Sequence, residues 1–172
     1  MTGLPGFHGA EHIGLTVPNL TVAAKFLVDV LGAQRVFDGG DICDPDTMVG
    51  ILGAQRGDTA VYAFFRLGSG LNLEVFEYTT NDRGRHPGNH QAGGHHIALY
   101  VDDIESAVAH LRAHGVEVGV PQFILSGPAA GSHWVYFKTP WGLQMELVSY
   151  PNGKAYEADA HVLLWHPRFP GR

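Results

Sequence analysis

The chain has a single cysteine, Cys43, in 172 residues. No intrachain disulfide can form, so a packed core must hold the fold. One unpaired cysteine also fits a reducing cytoplasm, the expected location. Basic residues are scarce, with 11 Lys and Arg against 17 Asp and Glu and a formal net charge of −6. They form no run, which argues against a nucleic-acid partner, because a phosphate backbone needs a basic face. Apolar runs are far shorter than a membrane span, so no membrane partner is expected. The opening "MTGLPGFHGAEH" has no basic stretch followed by an apolar one, and no signal peptide is expected there. What the chain has in quantity is glycine, 23 residues, and histidine, 11 residues. The first implies many turns, and the second makes ligand positions worth tracing.

Tracing them exposes a repeat. "HIGLTVPNL", starting at His12, lies over "HIALYVDDI", starting at His96, at an offset of 84. The match aligns Ile13 with Ile97, Leu15 with Leu99 and Val17 with Val101, and it continues to Ala23 on Ala107 and Leu27 on Leu111. A second match pairs "VYAFFRLGSGLNLEVFEY" (61–78) with "HWVYFKTPWGLQMELVSY" (133–150) at an offset of 72. The first copy therefore carries 12 extra residues in its middle, placed in "DGGDICDPDTMVGILGAQRGD" (38–58).

Each copy reads as strand, helix, then strands. In the first strand His12, Gly14 and Thr16 alternate with Ile13, Leu15 and Val17. Helices are predicted to open at Asn19 and Asp103, good N-cap residues, and to end near Gly32 and Gly115. "AVYAFFRL", "SHWVYFKT", "LNLEVFEY" and "LQMELVSY" read as strands, and weaker strands are expected around 46–52 and 118–125. The fold class is α+β: two tandem βαβββ modules forming paired, cup-shaped mixed sheets. The expected division is 9–80 for the first module, 81–92 for a linker, 93–150 for the second module and 151–172 for a tail. Four-stranded sheets with open edges should pair, within one chain or across a dimer.

The register places one histidine early on the first strand and one glutamate on the last strand of each copy: His12 with Glu74, and His96 with Glu146. Neighbouring antiparallel strands would let each pair face across the sheet. A carboxylate inside "NLEVF" or "QMELV" is costly without a partner. Two such pairs supply two nitrogen and two oxygen ligands, a set suited to one divalent ion such as Zn, Ni, Co, Mn or Fe. The alternative partners for Glu74 and Glu146 are Arg66 and Lys138, eight positions upstream of each.

The repeat with these four positions resembles the vicinal oxygen chelate superfamily, which includes glyoxalase I, methylmalonyl-CoA epimerase, extradiol dioxygenases and the fosfomycin and bleomycin resistance proteins. The resemblance covers about residues 9–150, and "YFKTPWGLQMEL" is similar to the family's last-module signature. It implies metal ligation by His12, Glu74, His96 and Glu146, with Glu74 and Glu146 also acting as catalytic bases. It also implies a pocket walled by Tyr62, Phe64, Trp134 and Tyr136, although core packing between sheet and helix is the alternative for these aromatics. The implied chemistry is isomerisation, epimerisation or lyase chemistry on a small α-hydroxy-carbonyl substrate through a metal-stabilised enediolate. A homodimer is implied by the usual assembly of the family.

Two rival functions follow from the same resemblance. An Fe(II) extradiol dioxygenase would use two histidines and one carboxylate, whereas four protein ligands block a position that catechol or dioxygen needs. A metal-free drug-binding protein would have no use for two buried carboxylates. Lesser candidates for substrate contact are Ser132, His133, Arg83 and Arg85. His86 and His90 read as solvated linker, His95 as structural and Cys43 as inert. The tail's apolar cluster, Val162, Leu163, Leu164 and Trp165, should pack on something.

Overall fold

The alternation in "HIGLT" folds as strand β1 (His12–Thr16), with Leu15 buried and His12, Gly14 and Thr16 exposed. Asn19 then caps helix α1 (Leu20–Lys25), its side-chain oxygen accepting from the Val22 amide at 2.8 Å. The helix continues as a π-helical turn over Phe26–Val30, and Gly32 takes the left-handed φ of +72° that ends it. The computed structural model describes residues 4–80, 84 and 86–171, and the chain divides into two compact units, residues 1–83 and 84–172. Arg83 and Arg85 lie outside the described residues.

The first unit holds β2 (Gln34–Ile42), β3 (Ala60–Arg66) and β4 (Asn72–Tyr78), in the sheet order β1-β4-β3-β2. Its helix packs on β3 and β4. Ala23, Leu27, Ala63, Phe65, Leu73 and Val75 are at most 1% exposed, and they form the core of this unit. Each fully buried Leu or Phe contributes about 1.5–3 kcal/mol by leaving water. Glu77 stands on the helix side of β4, and its carboxylate accepts from the Leu20 amide at 2.7 Å, tying the sheet to the helix start.

The second unit repeats the plan with β5 (Ile97–Tyr100), α2 (Ile104–Ala113), β6 (Gln122–Phe123), β7 (His133–Lys138) and β8 (Gln144–Ser149), in the order β5-β8-β7-β6. Asp103 caps α2 by accepting from the Glu105 and Ser106 amides at 3.0 and 3.1 Å. A cap of this kind stabilises a helix by about 1 kcal/mol. Gly115 closes it at φ +75°. Ser149 occupies the place of Glu77 in the repeat, and its hydroxyl donates to the Asp102 carbonyl at 3.1 Å. The two four-stranded mixed sheets with few helices match the α+β expectation.

Three details differ from the reading of the sequence. β1 runs parallel to β4, and β5 parallel to β8, where antiparallel neighbours were expected. The strand expected at 46–52 is a π-helical turn, Thr47–Ile51, because Asp44 accepts from both the amide and the hydroxyl of Thr47 at 2.8 Å and starts a helical turn there. The remaining strand of the first sheet is β2, which alternation does not reveal: it is an exposed edge carrying register shifts at Arg35/Phe37 and Asp38/Gly40. Its counterpart at 118–125 shrinks to the two residues of β6 plus a Val118–Phe137 bridge.

Candidate active site

Alternation along β3 sorts adjacent aromatics to opposite faces. Phe65 and Ala63 are fully buried against the helix, and Tyr62 and Phe64 stand half-buried on the other face. Glu74 is the direct register partner of Phe64 and shares that face. In the second unit Val135 and Phe137 are buried, whereas Trp134 and Tyr136 are half-buried on the opposite face, with Glu146 the register partner of Tyr136. The four aromatic candidates therefore belong to the faces that carry the glutamates, not to the helix-backed cores.

The histidines complete these two faces. His12 Nε2 lies 3.2 Å from Glu74 Oε2, and His96 Nε2 lies 3.0 Å from Glu146 Oε2. Parallel pairing sets each histidine two residues behind the position opposite its glutamate: Gly14 faces Glu74, and Ala98 faces Glu146. Each imidazole packs edge-on against the aromatic opposite its glutamate, His12 on Phe64 at 5.5 Å and His96 on Tyr136 at 5.3 Å between ring centres. Each unit thus presents a histidine, a glutamate and an aromatic ring in one recurring arrangement. Among the described residues neither alternative ion pair is formed: Arg66 donates to the Gly68 carbonyl at 3.2 Å, and the carboxylates instead face the histidines.

The donor set fits a divalent ion. Ligands at 2.0–2.2 Å that subtend about a right angle lie about 3 Å apart, which is the observed nitrogen–oxygen separation in both pairs. The same separation serves a hydrogen bond in the absence of metal. Each unit taken alone offers two ligands, and among the described residues no group of three or more His, Cys, Asp and Glu side chains stands ready to hold an ion.

The surroundings of the two pairs differ. Glu11 accepts a short hydrogen bond from His12 Nδ1 and further ones from Asn72 Nδ2, 3.1 Å to its carboxylate and 3.0 Å to its carbonyl. A proton held at Nδ1 leaves the Nε2 lone pair for a metal, the usual service of a carboxylate behind a ligand histidine. The hydrogen bond from Glu11 raises the His12 pKa above the ordinary imidazole value, against some desolvation and with help from the Glu74 and Glu11 charges. Asn89 stands behind His96, its amide nitrogen 3.4 Å from Nδ1. Burial pushes the Glu146 carboxyl above the usual range, and the charges of His96 and Lys154 draw it back.

Several residues of these faces escaped the reading of the sequence. Phe76 and Tyr78 follow Glu74 at the period of two and extend its aromatic face: Tyr62 stacks on Phe76 at 5.2 Å, and Phe76 on Tyr78 at 5.6 Å. The alternation of "LEVFEY" held that signal. Phe37 stacks on Phe64 at 4.7 Å, but the bulge before it hides its side from any alternation rule. A Cβ at Gly39 would fall 1.8 Å from the Tyr62 ring, so a glycine there lets the ring lie across β2. Glu11, Asn89 and Lys154 carry no sequence signal beyond proximity.

The lesser candidates fall elsewhere. His133 alternates onto the face opposite Trp134 and Tyr136 and packs on Phe123 at 4.5 Å, and Ser132 is buried with its hydroxyl donated to the Ala129 carbonyl at 2.7 Å. His95 is exposed, with Nδ1 3.2 Å from the Gly93 carbonyl. His90 and Cys43 are exposed, whereas His86 is half-buried rather than solvated. In the single chain the tail's apolar cluster, Val162, Leu163, Leu164 and Trp165, is between 44% and 83% exposed, and Leu163 and Leu164 line a cavity of the tail.

Two mixed four-stranded sheets of βαβββ order, each with a histidine–glutamate pair on its open face, define the class. The chain belongs to the glyoxalase/bleomycin resistance protein/dioxygenase superfamily, whose family model matches residues 9–147. It is 42% identical over 168 residues to a 2-epi-5-epi-valiolone epimerase of an Actinomyces species, covering 96% of this chain and 92% of that protein. Its fold is similar to that of a glyoxalase family protein from Bacillus cereus, with a TM-score of 0.66 at 16% identity over 81% of this chain and 92% of that one. The fosfomycin resistance protein FosX of Listeria monocytogenes, solved in complex with Mn(II) and sulfate, shares the fold with a TM-score of 0.55 at 19% identity over 83% and 93% of the two chains. Among the described residues no helix is long and apolar enough to cross a membrane.

Proposed function

We propose that the chain is a divalent-metal-dependent epimerase acting on a small polyhydroxylated ketone, with 2-epi-5-epi-valiolone as the first substrate to test. The observation that carries the reading is the recurrence of one histidine–glutamate pair on the open face of each module. His12, Glu74, His96 and Glu146 would hold one ion together, drawn from Zn, Ni, Co, Mn or Fe, because two ligands are too few for any of them. When bound, the ion acts as a Lewis acid on the substrate's carbonyl and neighbouring oxygen and makes the adjacent C–H acidic.

Epimerisation asks for two proton-transfer groups, since a proton leaves one side of a carbon and another arrives on the opposite side. Glu74 and Glu146 are suited to the two tasks. One carboxylate takes the proton as the C–H bond breaks, and the bonding electron pair moves into the adjacent carbonyl. The other carboxyl gives its proton to the opposite side of the same carbon, and the carbonyl is restored with the configuration inverted. Tyr62, Phe64, Trp134 and Tyr136 exclude water around this exchange and offer apolar faces to the carbon ring. The relative at 42% identity is an epimerase, which supports this subtype over ring cleavage or lyase chemistry. A homodimer in the cytoplasm completes the proposal.

The test is proton exchange. Incubation of the protein with 2-epi-5-epi-valiolone in heavy water, followed by NMR, should show deuterium entering beside the ketone along with a second epimer. Both signals should vanish on metal chelation and return with added metal. Turnover undiminished by chelation would overturn the metal assignment, and absence of exchange with every loaded metal would overturn the epimerase reading.

A further inference from the structure

The segment after β8 does more than end the chain. It folds back on the second unit and roofs a cavity of about 310 Å³, whose lining includes Tyr150, Lys154, Tyr156, Glu157, His166 and Phe169. That volume lies at the small end of the range for small-molecule sites. The roof is anchored at several points. The Ala155 and Tyr156 amides donate to the Ala130 and Pro128 carbonyls at 3.0 Å, and the Leu164 amide donates to the Tyr156 hydroxyl at 2.9 Å. Arg168 pairs with Asp102 at 2.9 Å.

The cavity adjoins the end of β8 through its lining residue Tyr150. Alternation groups Tyr100 with Ala98 on β5, and Val148 with Glu146 on β8, and Tyr100 is the register partner of Val148. His166 of the tail packs edge-on against Tyr100 at 4.4 Å and Tyr150 at 4.9 Å. In the first unit strand β4 ends at Tyr78, the repeat partner of Tyr150.

The lining chemistry selects a ligand class. The Lys154 ammonium lies 4.2 Å over the Tyr150 ring and makes no direct ion pair among the described residues, although its charge reaches Glu146. Glu157 spends one carboxylate oxygen on the Lys154 amide at 2.9 Å, which fixes the other beside the cavity. One cation and one anion give a lining with no net charge, and the nearby Arg168 is already committed to Asp102. Such a site disfavours a phosphate dianion, which would meet Glu157. It suits hydroxyl groups, which donate to a carboxylate and accept from an ammonium, set on a carbon ring whose C–H face lies against an aromatic wall.

We propose that this tail cavity is a binding subsite for a neutral polyhydroxylated ring, with Lys154 and Glu157 holding its hydroxyl groups and Tyr150 its apolar face. The choice of ring compound rests on the epimerase reading, whereas the subsite itself does not require turnover. The experiment titrates the metal-free, full-length protein with myo-inositol and with an inositol monophosphate, following backbone amide shifts. Myo-inositol should move the amides of Lys154, Glu157 and Leu164. Lys154→Met should weaken its binding about tenfold or more, the loss of a hydrogen bond to a charged group, and Glu157→Gln should weaken it while leaving the tail folded. Glu74→Gln should leave this binding unchanged and abolish turnover. No shift in the tail amides, tighter binding of the phosphate than of the neutral ring, or binding indifferent to Lys154→Met would overturn the subsite. Absence of turnover on 2-epi-5-epi-valiolone in the metal-loaded parent, with inositol binding intact, would overturn the epimerase reading and spare the subsite.

Discussion

Glu146 stands directly across the β7–β8 ladder from Tyr136, and the imidazole of His96 closes on both, 3.0 Å from the carboxylate and 5.3 Å from the ring centre. Glu74, Phe64 and His12 repeat the arrangement in the other unit. A lone histidine near a lone glutamate would mean little, but a histidine, a glutamate and an aromatic ring in the same register twice imply a shared task. Replacing either glutamate by glutamine keeps its shape and removes its charge. Glu74→Gln and Glu146→Gln should each lower kcat by about 10²–10⁴, the worth of a positioned proton-transfer group, with melting temperatures of the metal-free variants near or above that of the metal-free parent. Steady-state kinetics beside thermal melts check this, and a variant retaining more than about a tenth of parental kcat would remove that glutamate from catalysis.

Phe64 and Phe65 are neighbours in sequence and opposites in role. Phe65 is fully buried against the helix, so Phe65→Ala should cost about 3–5 kcal/mol of stability. Phe64 is half-buried on the glutamate face, so Phe64→Ala should cost only about 1–2 kcal/mol. It should instead raise KM, because the ring packs on His12 and would bound the proposed substrate pocket. Denaturant melts and kinetics on the two variants separate the roles, and equal stability losses would contradict the face assignment.

These two faces were legible in the sequence because strands alternate and the repeat fixed their register. The repeat register singled out His12, Glu74, His96 and Glu146, and N-cap preference marked Asn19 and Asp103. What escaped had no period. β2 is an exposed edge with two register shifts, so no apolar alternation marks it. "TMVGI" is apolar enough for a strand, but the Asp44 hydrogen bonds to Thr47 turn it into a π-helical segment. The parallel pairing of β1 with β4 depends on the crossover rather than on local pattern, and the tail is positioned by His166 on Tyr100 and Tyr150, contacts far apart in sequence.

Glu11 should set the pH at which metal loads. Its hydrogen bond raises the His12 pKa, and the raised value favours the protonated imidazole, which cannot bind a metal. In metal-free protein the stabilisation from protonated His12 is fully present below the ordinary imidazole value and is lost as pH rises through the raised one. Glu11→Gln should therefore move the midpoint of metal loading to lower pH. Glu11→Ala should in addition weaken metal binding at pH 8 by up to about 10–100-fold, because it removes the group that orients His12. Metal titrations across pH check both, and an unmoved midpoint in Glu11→Gln would contradict the coupling.

Glu146 gives a stability signature of the opposite kind. Burial raises its pKa, so folding disfavours the charged carboxylate. That contribution is favourable below the ordinary carboxylate value and is lost as pH rises through the raised one. Metal-free Glu146→Gln should thus melt at or above the parent at pH 7, with the advantage shrinking toward pH 4. Saturating metal should reverse the order, stabilising the parent by about 2.7 kcal/mol at a hundredfold excess over Kd and leaving the variant behind. Calorimetry with and without metal checks this, and a variant that gains as much from metal as the parent would exclude Glu146 as a ligand.

The central proposal is that His12, Glu74, His96 and Glu146 would each ligate a catalytic divalent ion. Elemental mass spectrometry of the purified protein, with the chain quantified independently, tests it most directly when run beside the four single variants His12→Ala, Glu74→Gln, His96→Ala and Glu146→Gln. The account predicts about one divalent ion per chain in the parent, a marked loss in each variant, and epimerisation in proportion to the ion retained. A parent that binds none of Zn, Ni, Co, Mn or Fe, or variants that keep the full complement, would contradict it.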